Sequence, residues 1–213
     1  VNAFAVACLA EGIRLRKAGI RGTILILGYT PAGEVPLLRR WRLTQMVADE
    51  AHGQALAGAG GRVRVHLALD TGMRRLGVPA EDHNAIARLY RLRNLNIQGV
   101  FSHLCVSDSL EPENTAYTQR QLEAFYNALD WMRSQGLDPG KVHIQASYGI
   151  WDLPPQPCAY GRAGIALYGV QSAPGPVRRD LDLRPVLSLR ARVASVRTLA
   201  PGECAGYGLA FHA

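Results

Sequence analysis

Short apolar runs alternate with amphipathic, helix-like segments along most of the chain. The clearest run, residues 63–70, contains β-branched residues and ends in a polar, glycine-containing turn, as a buried parallel strand does. The other predicted strands are residues 3–8, 23–28, 43–48, 96–104, 142–147 and 163–167. The predicted helices are residues 9–20, 31–42, 50–59, 80–92 and 115–135. This alternation predicts a parallel βα fold, either a (β/α)8 barrel or a doubly wound sheet.

The pattern changes near the end of the chain. Residues 172–184 contain a Pro-Gly-Pro sequence, which indicates a linker. Residues 186–196 then alternate apolar and polar side chains, which predicts a half-exposed antiparallel strand. After a Pro-Gly turn, residues 204–211 are predicted to form the returning strand of a hairpin. The predicted domains are therefore a parallel βα domain over residues 1–180 and the beginning of an all-β domain over residues 183–213.

Composition narrows the possible classes of protein. The chain has 213 residues, 48% of them hydrophobic and 19% charged, which suits a large buried core. It has no apolar stretch that would span a membrane and no signal peptide features, and its four dispersed cysteines form no CxxC pair. We expect a cytoplasmic protein with reduced, mostly buried thiols and no metal site. The net charge of +7 comes from dispersed arginines without interleaved aromatics, so we expect no nucleic-acid partner.

Polar side chains follow several of the predicted strands: Arg75, His103, Ser147 and Arg162. Because the carboxyl ends of parallel strands meet on one face, we expect these side chains to converge there. Arginine grips carboxylates and phosphates with paired hydrogen bonds, so the face suits an anionic ligand. Residue by residue, each also fits a plain structural role, and for a single histidine such as His103 that role is the commoner one.

Two further places on the chain are candidates for chemistry. The serine at 147 and the backbone N–H groups near Gly164 and Ile165 are suited to holding a phosphate. Tyr207 lies between two glycines, which leave its phenol accessible, although an ordinary turn tyrosine has the same pattern.

Four motifs together resemble those of the pyridoxal-phosphate-dependent alanine racemases. They are Asp70-Thr71-Gly72-Met73-x-Arg75-Leu76-Gly77, Phe101-Ser102-His103-Leu104, Arg162-Ala163-Gly164-Ile165-Ala166-Leu167-Tyr168-Gly169 and Gly206-Tyr207-Gly208. The resemblance implies a (β/α)8 TIM-type barrel that lacks its first strand, followed by the start of a C-terminal β domain. It also implies a head-to-tail homodimer that interconverts L- and D-alanine by a two-base mechanism with pyridoxal 5'-phosphate, supplying D-alanine for peptidoglycan.

The resemblance also implies a role for each matching residue. The implied catalytic residues are Tyr207, Arg162 and His103, with Tyr207 as the base given to the neighbouring subunit, Arg162 at the pyridine nitrogen and His103 supporting it. The implied cofactor-binding residues are Arg75, His103, Ser147, Arg162, Gly164 and Ile165. The implied substrate-binding residues are Arg75 and Met73, close to the carboxylate.

Several positions depart from this pattern. The family's Schiff-base lysine has no counterpart, because Lys17 and Lys141 both fall away from the predicted active face. Ala68 and Ala146 replace a lysine and an asparagine that are frequent in the family. We therefore expect an internal fragment of a racemase, inactive and poorly folded by itself.

Three alternatives stay open. One is a serine racemase domain of the vancomycin-resistance type, which shares these motifs. Another is a non-catalytic pyridoxal-phosphate-binding barrel. The last is a decayed or truncated product without a function.

Overall fold

The computed structural model describes residues 1–172, 176–179 and 182–213, and its core is a parallel sheet with helices between the strands. The strands are β1 (Ala3–Val6), β2 (Thr23–Ile26), β3 (Thr44–Val47), β4 (Val63–Asp70), β5 (Val78–Pro79), β6 (Leu95–Phe101), β7 (Lys141–His143), β8 (Cys204–Ala205) and β9 (Phe211–His212). The α-helices are α1 (Leu9–Lys17), α2 (Val35–Arg40), α3 (Glu50–Gly58), α4 (His83–Tyr90), α5 (Pro112–Ser134) and α6 (Ser147–Asp152). Short 3₁₀-helices cover Ala32–Glu34, Ile165–Tyr168 and Tyr207–Leu209.

The strand order of the sheet is that of an incomplete barrel. The order is β1-β2-β3-β4-β6-β7, every neighbouring pair is parallel, and the two-residue β5 adds to β4. Sequential strands lie side by side, with no reversal of strand order as in a doubly wound sheet. The predicted fold class, a partial (β/α)8 barrel, is confirmed. All carboxyl ends of the strands consequently point to one edge.

Burial and capping account for the individual elements. Every residue of β4 except Arg64 is buried, because the strand is covered on both faces of the sheet and its apolar side chains pack on each of them. Asp49 and Asp82 cap α3 and α4 by accepting hydrogen bonds from the backbone N–H groups of His52 (2.7 Å) and Ala85 (2.9 Å). The large core fills the space between the sheet and the helices, while Leu27, Met46, Ala48, Ala68 and Phe101 form a small separate cluster.

Two of the predicted strands are wrong. Residues 163–167 do not form one: a single parallel bridge joins Ala146 to Arg162, and the chain then turns into the 3₁₀-helix Ile165–Tyr168, whose end is Gly169 at a φ of 70°. Residues 186–196 form no strand: the Val186 N–H donates to the Tyr168 carbonyl at 3.1 Å, the segment pairs with no described strand, and its apolar side chains are exposed. In both places no strand among the described residues pairs with the predicted segment. A strand without a partner leaves its backbone groups unpaired.

Other details of the sequence analysis also change. Ser147 begins α6, where the end of a strand was predicted. Of the free cysteines, Cys8 is exposed and the other three are half-buried, so the prediction of mostly buried thiols is wrong. The predicted linker includes residues 173–175 and 180–181, which lie outside the described residues. The division into two domains stays a prediction, since β8 and β9 form only a two-residue antiparallel pair.

No helix in the described parts of the chain combines the length and apolar character that crossing a bilayer requires.

Candidate functional site

Arg162 is the centre of a hydrogen-bonded cluster at the carboxyl ends of the strands. Its Nη1 donates to His143 Nδ1 at 2.7 Å, and its Nη2 donates to the carbonyl oxygens of Ser102 (2.7 Å) and Ile144 (3.2 Å). The guanidinium also lies over the ring of Phe101, 5.4 Å from the ring centroid. Burial lowers the pKa of Arg162 to about 10, which leaves the group cationic at neutral pH. The cluster therefore holds a positive charge among neutral partners.

Two buried histidines continue this cluster into the sheet. His143 Nε2 lies 2.9 Å from His66 Nδ1, and the His143 ring stacks on Phe101 with a centroid distance of 4.8 Å. Burial is the main cause that lowers the pKa of His143 to about 2 and that of His66 to about 4, and the Arg162 charge adds to both effects. Both rings are neutral at physiological pH.

The donor and acceptor roles in these hydrogen bonds assign a tautomer to each histidine ring. A guanidinium can only donate, so His143 Nδ1 must accept from Arg162 and its proton lies on Nε2. That proton is donated to His66 Nδ1, which leaves the His66 proton on Nε2. Arg162, His143 and His66 thus form a one-directional chain of donors.

His103 contacts the same arginine from the next strand end. Its Nδ1 lies 3.2 Å from Arg162 Nη2. Burial first, and then the charges of Arg162 and Arg75, lower the pKa of His103 to about 4. The structure thus brings His103 and Arg162 together, with His143 as the nearer partner of the arginine.

The loop after β4 positions Arg75. Asp70 Oδ1 accepts from the backbone N–H groups of Gly72 (2.8 Å) and Arg74 (3.1 Å), which folds the chain into a tight turn. Gly72 has a φ of 134°, and its carbonyl accepts from Tyr117 Oη at 2.8 Å. The Arg74 guanidinium turns back to Asp70 at 3.8 Å, whereas Arg75 forms no ion pair with any described residue. Arg75 is therefore free to meet an anion.

A small cavity of about 100 Å³ lies between these groups. Arg75, His103 and Arg162 line it together with Met73, and its apolar lining includes the small cluster of Leu27, Met46, Ala68 and Phe101. Two guanidinium groups and a neutral imidazole facing an apolar surface suit a flat, anionic ligand. Ala68 contributes no charge beside Arg75.

Ser147 and the turn after Arg162 make the second part of the candidate site. The buried Ser147 Oγ accepts from the backbone N–H groups of Gly164 (2.9 Å) and Ala166 (3.3 Å), which fixes this turn against α6. A side chain added at Gly164 would meet nothing within 4 Å, so open space borders the turn. A phosphate bound here would replace Ser147 Oγ as the acceptor of these N–H groups and would take the hydroxyl as a further donor. Arg162 belongs to the same segment through the Ala146–Arg162 bridge, so the donors here fit the phosphate and the ring nitrogen of pyridoxal phosphate.

Other candidate residues lie elsewhere. Tyr207 is fully exposed in its 3₁₀-helix and lines no part of the Arg162 cavity. Lys141 begins β7 at the opposite end of the sheet, with its Nζ 5.4 Å from the Tyr160 ring, and Lys17 lies beside Trp41 at 6.0 Å. Neither lysine lines the cavity. Among the residues described, no group of three His, Cys, Asp or Glu side chains is placed to hold a metal.

His66 and His143 are two site residues that the sequence did not predict. Both are buried inside strands, with 1% of their surface exposed. In the folded sheet His143 contacts Arg162 directly, and His66 is connected to Arg162 through His143. A histidine within a buried apolar strand is uncommon, and that was the available signal.

A family model, curated relatives and a solved structure all relate the chain to the same family. A family model described as the alanine racemase N-terminal domain matches residues 1–172. An amino-acid racemase of Enterococcus faecalis is 41% identical over 98% of the chain, and a serine/alanine racemase of Enterococcus gallinarum is 40% identical over 98% of it. The crystal structure of alanine racemase from E. faecalis superposes on the whole chain with a TM-score of 0.80 and 30% identity. The chain spans 29% and 30% of the two Enterococcus relatives and 57% of the crystallised protein.

Proposed function

The chain belongs to the alanine racemase family, and from that premise we propose that the intact protein racemises a small amino acid, alanine first, with pyridoxal phosphate. The observation that supports this most strongly is the Arg162 cluster. A cationic donor held by neutral histidines faces a cavity that a second, unpaired arginine also lines. The bound cofactor would act as an electron sink for negative charge at the substrate Cα.

Arg162 would hold the ring nitrogen of the cofactor by donating a hydrogen bond. Even with a lowered pKa of about 10, the guanidinium keeps its protons at neutral pH. Because it keeps its protons, Arg162 would leave that nitrogen largely unprotonated, which would moderate electron withdrawal and disfavour transamination as a side reaction. His143 and His103 keep the guanidinium in place without neutralising its charge.

Arg75 would bind the substrate carboxylate and the cofactor hydroxyl, and Met73 would lie close to that carboxylate. The guanidinium lines the cavity and is unpaired among the described residues. Ser147, Gly164 and Ile165 would hold the phosphate at the other side.

Tyr207 would exchange the proton at the substrate Cα from one face. Its full exposure away from the Arg162 cavity suits delivery to the site of a second subunit in a head-to-tail dimer. Neither Lys17 nor Lys141 is placed to act from the other face, so we assign that second base to a lysine outside residues 1–213. D-alanine made in this way would serve peptidoglycan synthesis.

The first experiment compares two adjacent arginines in the full-length protein. With pyridoxal phosphate and L-alanine, chiral chromatography should detect D-alanine. Arg75→Gln should lower kcat/KM about 100-fold, because the carboxylate loses a charge-assisted hydrogen-bonded pair. Arg74→Gln removes the same charge from an exposed side chain that does not line the cavity, and should change kcat/KM less than about threefold. Equal losses in both variants, or no D-alanine from the wild type, would refute the proposal.

Serine is the second candidate substrate, because the chain is 40% identical to a serine/alanine racemase. The same assay with L-serine decides the point. A kcat/KM for serine equal to or above that for alanine would assign the protein to the serine type.

A mixing experiment tests the shared site. Tyr207→Phe and Arg75→Gln would each abolish most activity, and their equal mixture should recover up to about a quarter of it, since about half of the dimers are mixed and each of these contains one intact site of two. Absence of recovery after verified subunit exchange would show that Tyr207 serves its own subunit or none.

A further inference from the structure

A second, larger cavity lies at the amino ends of the strands, opposite the Arg162 site. Its volume is about 830 Å³, and arginines dominate its lining: Arg16, Arg21, Arg40, Arg42 and Arg64, with Trp41 beside them. A neighbouring cavity of about 250 Å³ shares Arg42 and Arg64 and adds two further arginines. No Asp or Glu of the described residues lines either of them. These arginines are scattered along the sequence, and the fold brings them together.

Arg16 is the structural support of this arrangement. Its guanidinium donates to four backbone carbonyls, those of Ile20 (2.8 Å), Gly22 (2.7 Å), Trp41 (2.9 Å) and Arg42 (2.8 Å). It thereby ties the turn after α1 to the turn after α2. Four of its five N–H donors are used by the protein, so a ligand would chiefly meet the surrounding arginines.

The surrounding guanidinium groups carry unbalanced charge. Arg21, Arg40, Arg42 and Arg64 are exposed, and none forms an ion pair with a described residue. Burial, followed by the nearby charges of Arg64 and Arg42, lowers the pKa of Arg16. A concave surface with charges of one sign focuses the potential and concentrates counter-ions.

Arg42 also has a strained backbone. Its φ of 50° lies in the left-handed region that favours glycine, at the turn that ends α2. In that conformation its carbonyl accepts from Arg16 and its N–H donates to the Arg39 carbonyl at 3.1 Å. A glycine would form the same turn without this strain. Strained residues are found preferentially at functional sites, which makes Arg42 a candidate for ligand binding.

We propose that this amino-end cavity binds a compact polyphosphate anion, either free or carried by a nucleotide. Guanidinium forks match phosphate oxygens, and several forks around one concave site suit adjacent phosphate groups. A single-stranded nucleic acid would need aromatic faces open for stacking. Trp41, the one aromatic residue of the lining in the described part of the chain, is half-buried, and Lys17 and Arg40 lie over it at 6.0 and 5.8 Å. The cavity is independent of the proposed racemase site.

Calorimetric titration of the full-length protein with tripolyphosphate tests the proposal. We expect binding that weakens with added salt, and a roughly 100-fold loss of affinity in Arg42→Gln/Arg64→Gln, about tenfold for each arginine. Arg190→Gln/Arg192→Gln removes the same charge from the exposed segment before β8 and should stay within about twofold of the wild type. Racemase activity should not change in either variant.

Arg42→Gly separates binding from folding. It relieves the positive φ, so the melting temperature should rise while affinity for tripolyphosphate falls about tenfold. Tighter binding of ATP than of tripolyphosphate would identify a nucleotide as the source of the phosphate groups, and equal affinity would identify the free anion. No binding to wild type, equal losses in both double variants, or binding of an oligonucleotide but not tripolyphosphate would overturn the proposal.

Discussion

The two ends of the parallel sheet both gather arginine, but they hold it differently. At the carboxyl end Arg162 is surrounded by His143, His103 and two backbone carbonyls, and every one of these partners is neutral. At the amino end Arg16 is also held by carbonyls, but its neighbours are further arginines. One end isolates a single charge in an apolar setting, while the other accumulates charge at the surface.

The difference follows from what each setting permits. A buried arginine is tolerated only if its donors are satisfied, and neutral partners satisfy them without removing the charge. At the surface, water screens repulsion, so several like charges can share a cavity. The carboxyl end should therefore respond strongly to protonation and truncation, and the amino end should respond chiefly to salt.

The largest expected effect is acid destabilisation at the carboxyl end. His66 and His103 have a pKa lowered to about 4 and His143 to about 2, against about 6.5 in an unfolded chain. The unfolded chain therefore binds more protons, so the stabilisation is complete above pH 6.5 and is lost as the pH falls towards 4. At pH 5 the loss should be about 2 kcal/mol for each histidine taken singly, and the losses do not simply add because His66, His143 and Arg162 contact one another.

Urea unfolding between pH 7.5 and 5 measures this loss. His66→Leu removes one titrating ring, so the difference in unfolding free energy between the two pH values should shrink by about 2 kcal/mol. His83→Gln removes a histidine that stacks on Trp131 outside the cluster and is the control. An unchanged pH dependence in His66→Leu would contradict the assignment.

Truncation of Arg162 should have the next largest effect. Arg162→Met leaves His143 Nδ1 and the Ser102 and Ile144 carbonyls without their donor. Each buried, unsatisfied acceptor costs about 1–3 kcal/mol, so we expect a loss of about 4 kcal/mol in the free energy of unfolding. Arg93→Met, an exposed arginine outside both sites, should change it by less than about 0.5 kcal/mol. Similar values for the two variants would show that Arg162 is not held as described.

Local patterns predicted the sheet well and the Arg162 cluster only in part. Strand β4 has the predicted bounds because its apolar run is buried on both faces and needs no distant information. Arg75, His103 and Arg162 converge because strand ends share an edge, which topology alone dictates. His143 and His66 could not be placed, since their roles depend on a contact between residues 77 positions apart.

Strand pairing and the clustering of arginines in the fold could not be predicted from local sequence patterns. Residues 186–196 have a strand's periodicity, yet they remain unpaired because periodicity does not supply a neighbour. The dispersed arginines predicted no basic patch, but the turns after α1 and α2 bring Arg21 and Arg42 next to Arg64 of β4. Proximity in a sheet is set by strand order, which a scan of charge along the sequence does not contain.

Truncation at the amino end should be milder than at the carboxyl end. Arg16→Met frees four carbonyls, but the half-buried site admits water, so we expect a loss of about 2 kcal/mol in the free energy of unfolding. Arg14→Met changes an exposed residue of the same helix and is the control, with an expected effect below about 0.5 kcal/mol. A loss for Arg16→Met as large as that for Arg162→Met would remove the distinction between the two ends.

The smallest effect should be stabilising. Arg64→Gln removes a charge that faces Arg16 and the other arginines of the amino-end cavity, so repulsion decreases and the melting temperature should rise by about 1 °C at low salt. The rise should vanish in about 0.5 M sodium chloride, since the Debye length then falls to a few ångströms. Arg192→Gln, in the exposed segment before β8, should leave the melting temperature unchanged at both salt concentrations. If Arg64→Gln lowered the melting temperature, Arg64 would be balanced by an anionic group, and the amino end would resemble an ordinary ion-paired surface.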